Sequence, residues 1–105
     1  MSMRYQLVLQ FPADSRSDDD AAYALEEELA EVLGEAADVD GHNAGETQTN
    51  VFLLTSDPAA TFKLVKPVLQ RHEQLEWVTA AYREQHGDNY IVLWPEDWTQ
   101  QFTME

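Results

Sequence analysis

Residues 38–50, DVDGHNAGETQTN, hold the densest set of side chains able to bind a metal or move a proton. Asp38, Asp40 and His42 alternate, and Gly41 and Gly45 bring Glu46 close behind them. This is the opening spacing of a calcium loop of the helix-loop-helix type. Such a loop needs glycine at its sixth position and a bidentate glutamate at its twelfth, and these are Asn43 and Thr49 here. A closed zinc site would need more converging ligands than one histidine and scattered carboxylates. Gly41, Asn43 and Gly45 are turn formers, so the stretch reads as a turn between neighbouring strands, with no metal and no cofactor expected.

The other chemical candidates are weaker. His42, His72 and His86 are far apart in sequence, and each reads as a surface histidine. Acid–base work by two carboxylates requires one with a raised pKa in an apolar pocket. Glu46 in the glycine-bounded loop, and Glu96 or Asp97 between two tryptophans, are the best placed, and the preferred reading of each is an ordinary loop or helix-start acid. No G-x-S-x-G, phosphate-loop or dinucleotide fingerprint is present. An enzyme is therefore the less favoured expectation.

Aromatic residues are concentrated in the last third: Trp77, Tyr82, Tyr90, Trp94, Trp98 and Phe102. Trp and Tyr dominate the energetics of protein contacts, so this cluster either anchors a partner or covers a sheet within the chain.

The elements that would hold these residues follow from periodicity. RYQLVLQF (4–11) alternates, with Tyr5, Leu7, Leu9 and Phe11 on one side, and reads as a half-buried strand ended by Pro12. Residues 17–35 read as a helix that starts at Ser17 with Asp20 three residues on and stops at Gly34. Its apolar stripe is Ala22, Leu25, Leu29, Val32 and Leu33, and its Glu26–Glu28 run falls mostly on the outer face. ADVDGHNAG is a weak edge strand or a loop, and TNVFLLTS (49–56) reads as a central strand, apolar on both sides. A second helix begins with Asp57 as cap and Pro58 in its first turn; Pro67 should kink or split it. EWVTAAYREQ and NYIVLWP are two further strands joined by the turn HGDN. In the last of these, Tyr90, Val92 and Trp94 should face one way and Ile91 and Leu93 the other. If the tail is helical after Pro95, then Trp94, Trp98 and Phe102, four apart, form one ridge.

The order β-α-β-β-α-β-β predicts a single α+β domain over residues 1–105. A ferredoxin-like sandwich with an antiparallel sheet, two helices on one face and an added last strand is the simplest topology. The second sheet face then requires a cover: the tail, a second copy or a ligand.

Bulk composition narrows the partners. A chain of 105 residues without cysteine must be held by its core alone and offers no thiolate or cysteine-metal chemistry. Six basic residues against twenty acidic give a net charge of −14. Phosphate binding needs a basic patch, so no nucleic-acid partner is expected. Neither a leader-like segment nor a membrane-length apolar run is present in the sequence, so the expected setting is cytoplasmic, without membrane contact.

Two stretches carry a resemblance. GETQTNVFLLTSDPAATFKLVKPVLQ joins a glycine-bounded turn to Asn50, an apolar strand, Asp57-Pro58 and a helix bearing Lys66-Pro67. AAYREQHGDNYIVLWP then ends on Leu93-Trp94-Pro95. Together they resemble a small uncharacterised bacterial protein family with a ferredoxin-like α+β domain, over about the last two thirds of the chain. The resemblance implies a bacterial origin and the domain boundaries, and no catalytic residue. A site shared with that family would be sought at Gly45, Glu46 and Asn50. The resulting expectation is a non-enzymatic protein-binding or regulatory module, immunity- or inhibitor-like in one form. Its contact residues are Glu46, Asn50, Trp94, Trp98 and Phe102, and its partner is another protein or a second copy. The alternative is a small enzyme or ligand-binding protein using residues 41–50.

Overall fold

The computed structural model describes residues 4–12, 19–45, 47–98 and 102. Seven elements follow one another: β1 (Tyr5–Pro12), α1 (Asp19–Leu33), β2 (Ala37–Ala44), β3 (Gln48–Thr55), α2 (Pro58–Arg71), β4 (Thr79–Glu84) and β5 (Ile91–Trp94). The strands form one antiparallel sheet in the order β2-β3-β1-β4-β5, and the architecture is α+β. β1 is the middle strand, and β3, whose apolar run marked it as central, is interior too, paired with β2 and β1. β1 is flanked on both sides, and its Leu7, Val8 and Leu9 are fully buried even though Gln6 and Gln10 stand on either side of them.

Alternation along β1 divides the sheet's faces. Leu7, Leu9 and Phe11 pack with Val51 and Leu53 of β3, with Leu25, Leu29 and Leu33 of α1, and with Phe62, Val65, Val68 and Leu69 of α2. The two helices therefore share one face. Val32, expected in the α1 stripe, is exposed, because Leu33 supplies the last inward position of that turn. Gly34 ends α1 with φ of 53°, a left-handed conformation in which glycine carries no Cβ penalty. The Ser17 cap lies outside the described residues.

α2 starts as its sequence dictates: Asp57 accepts a hydrogen bond from the Ala60 amide at 3.1 Å, and Pro58 occupies the first turn. It runs unbroken through Pro67. Lys63 and Pro67 both lie on the exposed side of the helix, and the expected split does not occur.

The stretch 38–50 is strand, turn and strand. β2 pairs along β3 with a bulge between Val39 and Gly41, where Gly41 takes φ of 116°. The Gly45 amide then closes the turn onto the Gln48 carbonyl at 2.7 Å.

On the second face, Val8 and Ala81 are buried with Phe102, and Phe52, Tyr90 and Val92 pack around them. The tail thus supplies one cover the sheet required. Residues 95–98 form a turn closed by the Trp98 amide on the Pro95 carbonyl, with no helix there. A second bulge, between Ala80 and Ala81, pairs Val92 with Ala81 but Trp94 with Ala80. Trp94 is thereby brought to the helix-bearing face, opposite Val92, and it forms no common ridge with Phe102. No helix among the described residues is long and apolar enough to cross a membrane.

Candidate functional site

The loop between α2 and β4 presents the largest exposed aromatic. Helix α2 ends in a tight reversal: the Glu73 amide bonds the Gln70 carbonyl at 3.1 Å, and the Gln74 amide bonds the Leu69 carbonyl at 2.8 Å. This paired pattern places Glu73 in the left-handed region, with φ of 58°, where glycine is the usual occupant. The Trp77 amide then bonds the Gln74 carbonyl at 3.0 Å and folds residues 74–77 into a turn. Leu75 packs against the main core from within that turn, leaving Trp77 half out at 51% exposure.

β5 fixes this turn from the other side. The Trp94 indole N–H donates to the Leu75 carbonyl at 3.2 Å. Trp94 is itself held by Phe62, ring centroids 6.1 Å apart, and by the Lys66 ammonium 4.3 Å from its ring centre. The result is an open hollow of about 490 Å³ lined by Gln70, Glu73, Leu75, Glu76 and Trp77. Leu75 and Trp77 give it apolar lining, and Glu73 and Glu76 give it acidic lining. Among the described residues, neither Glu73 nor Glu76 has a side-chain hydrogen bond or ion pair, and no ring or cation lies on Trp77.

A second hollow, of about 400 Å³, lies at the start of α2 among Glu35, Ala36, Thr55, Ser56, Asp57, Ala60, Thr61 and Leu64. Thr55, Thr61 and Asp57 already serve one another. Thr55 and Thr61 hydroxyls are 2.6 Å apart, and the Asp57 amide donates to the Thr55 hydroxyl at 3.0 Å. That arrangement secures the β3–α2 junction.

The sequence-derived contact residues fall at separate places. Glu46 lies outside the described residues. Asn50 is buried in β3 on the second sheet face, where its carbonyl oxygen accepts from Gln10 Nε2 at 3.2 Å; the same Gln10 nitrogen lies 3.1 Å from Gln48 Oε1. Trp94 stands beside the α2–β4 turn as its tether. Trp98 is half-buried, and its indole nitrogen is buried without an acceptor among the described residues. Phe102 is 7% exposed and sits 5.0 Å from the Tyr90 ring. Glu96, Asp97 and His86 are exposed.

Two of the three acids expected on the outer face of α1 are engaged. Glu26 pairs with His42 Nδ1 at 2.5 Å, beside Tyr23, whose ring meets the imidazole edge-on at 4.9 Å. Glu28 bonds both Arg71 and His72 at the end of α2. The hydrogen bond from His72, and then that from Arg71, hold the Glu28 carboxyl below the usual glutamate range. These partners are 16, 43 and 44 residues away, beyond the reach of a local pattern. Among the described residues no three His, Asp or Glu side chains converge as metal ligands.

Trp77 was legible as one of six clustered aromatics, and the strand assigned to 76–85 left it with no distinct role. β4 begins only at Thr79, so Trp77 escapes the sheet. Glu73 and Glu76 on either side of Leu75 were the available signal. No family model, curated protein or solved structure matches this chain.

Proposed function

We propose that this chain is a non-enzymatic protein-binding or regulatory module on a ferredoxin-like scaffold, and that it meets its partner through the Trp77 hollow. The single observation that carries the reading is Trp77 itself. A tryptophan 51% exposed, on a turn pinned by an internal hydrogen bond and anchored to the core through Leu75, has the make-up of an interface anchor. Holding the turn rigid lowers the ordering cost of association. The order β2-β3-β1-β4, with a helix crossing after β1 and after β3, supports the ferredoxin-like reading, with β5 added at one edge. The resemblance to a small bacterial family belongs to the same reading.

The test is affinity capture from native cell extract at low and moderate salt, with the chain and its Trp77→Ala variant as baits. A single stoichiometric protein retained by the chain and lost by the variant is the expected result. Equal retention by both, or recovery of the bait alone, overturns the assignment.

A second reading, a small enzyme or ligand-binding protein using residues 41–50, is favoured by one observation, the His42–Glu26 pair at the junction of β2 and α1. It predicts a metal ion or metabolite that raises the melting temperature by mass action, with the rise abolished in His42→Ala. A broad screen producing no shift removes it.

A further inference from the structure

Resting on the protein-contact reading above, we infer that the partner seats an arginine side chain in the hollow, its guanidinium flat on the Trp77 indole and its N–H groups on Glu73 and Glu76. Three features of the hollow converge on that group.

The lining is part apolar and part anionic: Leu75 and Trp77 supply the first, Glu73 and Glu76 the second. A guanidinium is planar, weakly hydrated and stacks on aromatic faces, so it tolerates such a lining. Its five donors in a rigid fork can reach two separate carboxylates at once, which a compact ammonium does less well.

Among the described residues, the site holds no cation of its own. Lys66 covers Trp94 at 4.3 Å, and Arg83 lies 5.4 Å from the Tyr90 ring. Arg71 is engaged with Glu28. Among the described residues the chain thus places positive charge over Phe62, Trp94 and Tyr90 and leaves Trp77, which lines the hollow with two unpaired acids, without any. A net charge of −14 further draws a basic segment toward the surface and speeds its arrival.

Glu73 is also an uncomfortable choice for folding alone. It occupies a left-handed position that glycine would fill without strain. A carboxylate there has a ready explanation if its side chain is used in the hollow.

The test titrates the full chain with three blocked peptides, Gly-Arg-Gly-Arg-Gly and the same sequence bearing lysine or citrulline in place of arginine. The indole N–H resonances of Trp77, Trp94 and Trp98 are followed, with Trp77 assigned by its disappearance in Trp77→Phe. The arginine peptide should produce a saturable shift at Trp77, weaker with lysine and lost with citrulline. Raised salt, Glu76→Gln and Glu73→Gly should each weaken it, with circular dichroism unchanged. Equal binding of citrulline, or a shift confined to the other two indoles, overturns the inference, as does the absence of any saturable shift. If the peptides fail while capture of a protein still depends on Trp77, the arginine assignment falls and the contact surface stands. If capture is also indifferent to Trp77, both fall.

Discussion

The indole nitrogen of Trp94 donates to the carbonyl of Leu75 at 3.2 Å, so the last strand of the sheet holds the turn that follows the second helix. Nineteen residues separate the two, and the bond exists because a bulge opposite Ala80 and Ala81 brings Trp94 to the helix-bearing side. Trp94 is on this view a positioning residue for Trp77.

Trp94→Phe keeps an aromatic ring and removes the indole N–H donor. It should cost about 1 kcal/mol of stability, the usual net loss for one buried hydrogen bond. The Trp77 amide, bonded to Gln74, should exchange its hydrogen faster than in the parent, and partner affinity should fall with it. Unchanged exchange at that amide would show that the turn is held by Leu75 packing alone.

Trp77→Ala separates contact from fold. Because the side chain is half exposed, the loss of stability should be about 1 kcal/mol or less, read from urea unfolding. Binding should be lost.

Glu73→Gly opposes stability to function. Relief of the left-handed backbone, less the added freedom of glycine in the unfolded chain, should stabilise by about 1 kcal/mol, seen as a raised melting temperature. The same variant should bind its partner less tightly. A variant that is more stable and binds equally well would remove Glu73 from the contact.

Glu28 gives a pH signature. Its folded pKa is depressed, so its stabilising contribution is present above the ordinary glutamate pKa and is lost as pH falls through the lower, folded value. Urea midpoints measured from pH 7 down to about 3 should fall more steeply below the usual glutamate range of about 4.3 in the parent than in Glu28→Gln. Parallel curves would mean that the Arg71 and His72 bonds contribute little in solution.

Phe102→Ala probes the second face. Emptying a site at 7% exposure, among Val8, Phe52, Ala81, Tyr90 and Val92, should cost about 3 kcal/mol by urea unfolding. A cost under 1 kcal/mol would show that Phe102 contributes little to that cluster.

Local signals account for much of the scaffold. The Asp57-Pro58 start of α2, the alternation of β1 and the Gly34 stop were each legible because the determining residues are neighbours in sequence. What was not legible depends on distant pairing. The bulge that turns Trp94 over arises from how β5 meets β4, and nothing within NYIVLWP announces it. Glu26 and Glu28 read as a solvated acidic run because His42, Arg71 and His72 are brought to them only by the fold. Trp77 was hidden for the opposite reason: Val78 and the residues after it extend a plausible strand pattern backward across it, and the strand in fact starts at Thr79.

The outermost strands have a consequence for crowded conditions. β2 is bent at its Gly41 bulge and carries exposed Asp38 and Asp40, and β5 offers only four residues before Pro95. Neither border is a long, flat template onto which another chain could add, and each copy brings a charge of −14 to the encounter. Fibril growth by strand-on-strand templating is thus obstructed at both ends of the sheet.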